Sequence, residues 1–281
     1  MQSKRVLCLN PFGFHNTHYT EWGDRSVGRT VICVHGLTRN ARDFDPLAAA
    51  LSAGYRVACP DVAGRGQSDW LPAASAYSYP QYCADMTVLI GRLETEAVDW
   101  VGTSMGGLIG MMMAAHPNSP VRRLVLNDVG PFITKAALQR IATYVGQRPH
   151  FKSLPALEAY LRQVYAPFGK LTDEDWRSMA EHSQRTASDG GIVLHHDPKI
   201  AENAQAGANQ DIDLWALWDK IDCPVLLIRG AQSDLLSKAT AEEMTRRGPR
   251  ARLVDIADAG HAPALRSADQ IALIRDFLDA A

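Results

Sequence analysis

Gly102-Thr103-Ser104-Met105-Gly106 decides the reading of this chain because of what stands on either side of it. The run Ala97–Val101 before it is short and largely apolar, and Met105–Ala115 after it carries helical spacing. A strand therefore runs through a tight turn directly into a helix. The two glycines let that turn close so sharply that Ser104 must take a strained backbone, which holds its hydroxyl above the carboxyl end of a sheet. The amino end of the helix points at the same spot, and its first amide, that of Met105, can donate to a developing oxyanion. The plain alternative is a glycine-rich turn whose serine only caps a helix. The strand and the helix flanking the turn speak against it.

Outward from this turn the same alternation recurs. Thr30–Val34, Arg56–Cys59, Ala97–Val101, Val121–Asn127, Val225–Arg229 and Ala251–Ile256 read as strands, nearly continuous in apolar character, as in a sheet covered on both faces. Asp45–Ser52, Gln81–Glu94, Met105–Ala115, Ala239–Arg247 and Asp269–Leu278 read as the helices between them. Such βαβ alternation predicts an α/β fold with a mostly parallel, twisted sheet flanked by helices. The partly alternating Phe14–Trp22 segment predicts an antiparallel edge. From Pro131 to Trp218 the pattern breaks into helix formers, aromatic residues and breakers, with only Gly191–Leu194 strand-like. The expected division is a core of residues 1–130 and 219–281 and a helical cap insertion of residues 131–218.

Composition narrows the ligand. With 29 Lys+Arg against 31 Asp+Glu the formal charge is −2, and no basic excess is available to grip nucleic acid or an anionic membrane by phosphate contacts. A small molecule is the expected partner. Five cysteines without a CxxC or Cys/His clustering fit neither a disulfide framework nor a zinc site. Cys33, Cys59 and Cys223 lie in or beside apolar runs and read as small buried hydrophobes. The apolar run Val6–Leu9 is too short for a signal peptide, and no run approaches the ~18 residues of a membrane span. A cytoplasmic protein, monomer or homodimer, is expected.

A second strand, Val31–Val34, ends in His35-Gly36-Leu37, where the Leu37 amide can reach the same oxyanion as that of Met105. His35 itself reads as a buried imidazole tying loops together. With Asp61-Val62-Ala63-Gly64-Arg65-Gly66-Gln67-Ser68, these segments make the chain resemble the alpha/beta-hydrolase fold superfamily over nearly its whole length. The His35–Phe44 stretch and Val129-Gly130-Pro131 are similar to bacterial carboxylesterases and enol-lactonase-like hydrolases. In such proteins Asp61–Ser68 forms a structural turn below the pocket.

A serine hydroxyl is a weak nucleophile and needs a base, and the base needs an orienter. The resemblance places the base at His261, in Asp258-Ala259-Gly260-His261 after the strand Ala251–Ile256, and the acid at Asp234, in Gly230-Ala231-Gln232-Ser233-Asp234. The order Ser104, Asp234, His261 is that of the fold. Asp128, just after Val121–Asn127, is the rival acid. The remaining histidines, His15, His18, His116, His150, His182, His195 and His196, read as surface or cap residues, and the His195-His196 pair lacks the spacing of a metal site.

The implied chemistry is cofactor-free and metal-free cleavage of a small carboxylic ester or lactone through an acyl-enzyme on Ser104. Carbon–carbon bond hydrolysis, lyase chemistry or perhydrolysis by the same residues, and a non-catalytic small-ligand receptor, are the alternatives. Among the mouth residues, Arg39 is the cation expected to meet a substrate carboxylate, with Arg65 a second cation of interest. Cap aromatics such as Tyr144, Tyr165, Phe168 and Trp176 line a pocket or fill a core.

Overall fold

The computed structural model describes residues 1–280. The chain opens with β1 (Gln2–Asn10), β2 (Gly13–Trp22), β3 (Thr30–Val34), α1 (Asp45–Leu51), β4 (Arg56–Pro60), α2 (Tyr79–Arg92), β5 (Val98–Thr103), α3 (Met105–Ala114) and β6 (Val121–Asn127). A long excursion follows: β7 (Phe132–Ile133), α4 (Lys135–Val145), β8 (His150–Phe151), α5 (Leu154–Val164), α6 (Asp173–His182), β9 (Gln184–Thr186), β10 (Ile192–Leu194), α7 (Ile200–Gly207), β11 (Ile212–Asp213) and α8 (Trp215–Trp218). The chain then returns through β12 (Val225–Gly230), α9 (Lys238–Met244), β13 (Arg252–Ile256) and α10 (Ala268–Asp279).

Eight strands form one sheet in the order β1-β2-β4-β3-β5-β6-β12-β13. From β4 to β13 every pairing is parallel, while β1–β2 and β2–β4 are antiparallel. The expected antiparallel edge is therefore a hairpin, Gln2 opposite Glu21 and Asn10 opposite Gly13. The apolar runs split by the two-residue period of a strand: Ile32 and Val34 enter the core on one face of the sheet, Val31 and Cys33 the core on the other. Trp100 and Val101, and Leu227 and Ile228, divide the same way. Continuous hydrophobicity is thus what a sheet with two buried faces requires.

None of the excursion's strands joins the large sheet. β8, β10 and β9 make a three-stranded antiparallel sheet, and β11 pairs with β7 where the excursion leaves and returns. These strands of two or three residues carry no periodicity of their own, so only the Gly191–Leu194 run, which holds β10, was visible in the sequence. Phe151, Leu157, Leu161, Trp176, Met179 and Ala180 form a separate small core inside the excursion. Cys33, Cys59 and Cys223 are buried, and all five cysteines are free thiols. Among the described residues no helix is long and apolar enough to cross a membrane.

Candidate active site

Ser104 sits between β5 and α3 at φ 52° and ψ −115°, left-handed territory that a residue with a Cβ enters only under constraint. The constraint is close packing. A Cβ on Gly106 would lie 2.0 Å from the Val34 carbonyl oxygen, and one on Gly102 would lie 2.3 Å from that of Gly106, so the two glycines are what let α3 press onto the sheet. The Ser104 amide donates to Asn127 O at 3.0 Å, anchoring the turn to β6.

The Ser104 hydroxyl lies 3.0 Å from His261 Nε2, and His261 Nδ1 lies 2.6 Å from Asp128 Oδ2. Nδ1–H thus donates to the carboxylate and Nε2 accepts from the serine. Asp128 is fully buried and its charge is met by three donors: His261 Nδ1–H, the Gly230 amide at 2.8 Å and the Ser233 hydroxyl at 2.6 Å. Its own amide donates to Ile228 O, and its φ of 56° turns the side chain from the end of β6 toward the histidine.

The expectation for Asp234 is not met by this geometry. Asp234 points outward, 52% exposed, in a bidentate pair with Arg140 of α4 (2.5 and 2.8 Å). One residue earlier in the same loop, Ser233 faces inward and bonds Asp128. The loop identified from sequence does contact the site, but through its serine. Sequence reasoning missed Ser233, as it missed Asn127, whose amide bonds Thr103 Oγ1 (3.0 Å) and Pro263 O (2.8 Å), tying β5 and β6 to the loop that carries His261.

Leu37 and Met105 line the cavity beside Ser104. The Met105 amide is in the first turn of α3 and has no acceptor within the helix. A Cβ on Gly36 would stand 3.6 Å from that of Ser104, so the turn before Leu37 lies directly against the serine. Beneath it, Arg65 is completely buried: Nε donates to Leu37 O (2.9 Å), Nη1 to Ala63 O and the Tyr82 hydroxyl, and Nη2 points at Met105 Sδ.

The Asp61–Ser68 turn is a hydrogen-bonded platform. Asp61 accepts from the Ala41 and Gln67 amides and from His18 Nδ1, while His35 donates from Nδ1 to Gly36 O and accepts the Val62 amide at Nε2. Burial pushes the His35 imidazole down to about 4. Of the histidines read as surface or cap residues, His15 and His18 are instead buried in the core, and His195 and His196, within residues 131–218, are buried as well. His195 Nδ1 accepts the Gly66 amide and Tyr77 donates to Asp197, so the excursion is stitched to the platform by groups whose partners lie over 100 residues away. No local pattern encodes such partners.

Arg39 also differs from expectation. Its guanidinium is bidentate to Asp43 (2.8 and 2.6 Å), bonds Ser183 Oγ and lies 4.8 Å over the Tyr165 ring, buried and already neutralised. The cavity above Ser104, about 690 Å³, is walled from the excursion by Tyr144, Tyr165 and Phe168, whereas Phe151 and Trp176 fill the excursion's own core. Elsewhere Cys8, His15 and Asp85 bring ligand atoms within 4.8 Å of one another. Both His15 nitrogens are already hydrogen-bonded, to Asn10 and Asp85, and burial pushes the Cys8 thiol up to about 11, away from the thiolate a metal would need.

A family model described as alpha/beta hydrolase fold matches residues 29–267, and the chain belongs to that family. It is an enzyme, a hydrolase of the ester-cleaving type. It is 46% identical, over 98% of its length and 97% of the relative's, to a 3-hydroxybutyrate-oligomer hydrolase from Cupriavidus necator. A pimeloyl-[acyl-carrier protein] methyl ester esterase from Neisseria meningitidis is 29% identical over 89% of this chain and 77% of that one. Among solved structures, a putative hydrolase from Rickettsia typhi superposes with a TM-score of 0.93 at 32% identity, covering 99% of both chains.

Proposed function

We propose that the protein is a serine hydrolase that cleaves short oligoesters of 3-hydroxybutyrate or a closely similar hydroxy acid, through an acyl-enzyme on Ser104. The observation that carries the chemistry is the unbroken chain Ser104 Oγ, His261, Asp128, with spacings of 3.0 and 2.6 Å, opening onto the cavity. The near-full-length relative from Cupriavidus necator supports the substrate class.

Each step follows from position. Ser104 Oγ attacks the ester carbonyl while His261 Nε2 takes its proton, and the carboxylate of Asp128 stabilises the imidazolium through Nδ1–H. The Leu37 and Met105 amides receive the oxyanion, an arrangement whose single donors are worth ~10²–10³ in kcat. His261 then protonates the departing alcohol. Water, deprotonated by the same nitrogen, releases the acid and restores Ser104. In this reading residues 131–218 are a cap that walls the substrate cavity, and residues 1–130 and 219–281 are the catalytic core.

The test is turnover of linear 3-hydroxybutyrate dimer and trimer and of p-nitrophenyl butyrate, with fluorophosphonate labelling in parallel. Wild type should turn over and be labelled, and Ser104→Ala should do neither. Labelling of Ser104 without turnover of any ester would move the assignment to carbon–carbon bond hydrolysis by the same residues.

A further inference from the structure

The fixed charges of the cavity wall are one-sided. Apart from His261, Arg39 and Arg140 are its ionisable charged residues among the described residues, and no aspartate, glutamate or lysine lines it. The two arginines differ in availability. Arg39 is 5% exposed, forked onto Asp43, bonded to Ser183 and stacked on Tyr165, so no further carboxylate can take it without breaking a buried pair. Arg140 stands at the rim on α4, with side chains 41% and 52% exposed in its pair with Asp234. Exposed pairs of this kind contribute little, so one carboxylate can replace another there at small cost. A guanidinium fork fits a carboxylate bidentately, and that is how it now holds Asp234.

We propose that Arg140 is the recognition site for the free terminal carboxylate of an acidic oligoester, and that Asp234 is the side chain this carboxylate displaces. The inference rests on the ester-hydrolase reading and adds the end of the substrate that the enzyme grips. A linear hydroxy-acid oligomer has one carboxylate and one hydroxyl end. With the carboxylate on Arg140 at the rim and the chain running inward past Tyr144, which lines the same wall one turn along α4, the ester presented to Ser104 is set by its distance from the acid end. Hydrolysis there adds one water and leaves a carboxylic acid and an alcohol. The capped, neutral substrate has no such anchor.

Two measurements separate this inference from the reading beneath it. The first is kcat/KM for the 3-hydroxybutyrate dimer and trimer and for their methyl esters, on wild type, Arg140→Gln, Arg140→Lys and Asp234→Asn, with thermal melts to establish folding. The ratio of acid to methyl ester should fall at least tenfold in Arg140→Gln, through KM, and recover in part in Arg140→Lys. In Asp234→Asn the KM for the acids should fall, because their competitor is gone. Equal losses on acid and methyl ester would overturn the proposal and leave Arg140 a structural tie between α4 and the loop after β12. The second is calorimetric binding of the acid dimer to Ser104→Ala, which needs no turnover. Affinity should drop at least tenfold on adding Arg140→Gln, and unchanged affinity would overturn the proposal even if esters are cleaved. If wild type cleaves no ester, the hydrolase reading falls, and this binding experiment still decides the role of Arg140.

Discussion

Asp128 Oδ2 lies 2.6 Å from His261 Nδ1, and the same oxygen accepts the Ser233 hydroxyl at 2.6 Å. The histidine of the late loop is therefore oriented from the end of β6, the strand next to the one that leads into Ser104, with the loop after β12 supplying a supporting hydroxyl. Three donors, one from the late loop and two from the end of β12 and the loop after it, meet at one buried carboxylate.

The two aspartates give opposite expectations. Asp128→Asn should fold, since asparagine tolerates a φ of 56° and its amide oxygen can still accept the Gly230 amide. It should nevertheless lose ~10³–10⁴ in kcat, because the imidazole loses its tautomer and its charge partner. Asp234→Asn should lose no more than about threefold in kcat, an exposed pair contributing little. Turnover of p-nitrophenyl butyrate beside thermal melts decides the matter, and a dead Asp234→Asn with a live Asp128→Asn would reverse the assignment.

Arg65 is a buried cation with no carboxylate paired to it among the described residues; its charge is met by carbonyls, the Tyr82 hydroxyl and the Tyr77 and Tyr82 rings. It also touches both residues whose amides are assigned to the oxyanion. Arg65→Lys keeps the charge but loses the planar fork, so denaturant unfolding should report a loss of roughly 2–4 kcal/mol. As a positioning residue it should also lower kcat by about tenfold with little change in KM, because the oxyanion donors act in the transition state. A stability loss with unchanged kcat in the folded fraction would reduce Arg65 to a structural role.

Acid should destabilise the fold well above the usual carboxylate range. Burial, reinforced by Arg65 and Arg39, pushes His196 from 6.5 to about 4, and burial pushes His35 down equally despite the opposing charge of Asp61. The unfolded chain takes up these protons near 6.5 and the folded chain only near 4, so their stabilisation is complete above 6.5 and is lost as pH falls toward 4. Each imidazole contributes on the order of 3 kcal/mol across that window. Circular dichroism melts should show Tm nearly level from pH 8 to 7 and falling steeply below 6.5, with a shallower fall in His196→Gln. A Tm independent of pH between 7 and 4.5 would contradict the buried neutral imidazoles.

Much of this was written locally. The parallel strands were legible because apolar runs of five to seven residues bounded by polar turns have few other ways to fold, and the Ser104 turn because two glycines at fixed spacing are a steric requirement visible in one dimension. His261 was found through its position after the last strand. The burial of His15, His18 and His195 was not legible because their partners, Asp85, Asp61 and Gly66, come from distant segments, whereas His35 was read as buried.

The sheet, the tight turn at Ser104 and the place of His261 were legible in the chain alone, since each depends on short-range pattern: strand period, turn sterics and the order of elements. The fold was needed to tell which aspartate bonds His261 and which arginine is locked in a buried internal pair. Both aspartates follow a strand at the carboxyl edge of the sheet, and both arginines line the cavity. What separates them is direction and burial: a left-handed φ swings Asp128 inward while Asp234 turns to solvent, and Asp43 neutralises Arg39 within the protein while Arg140 is held by a half-exposed partner at the rim.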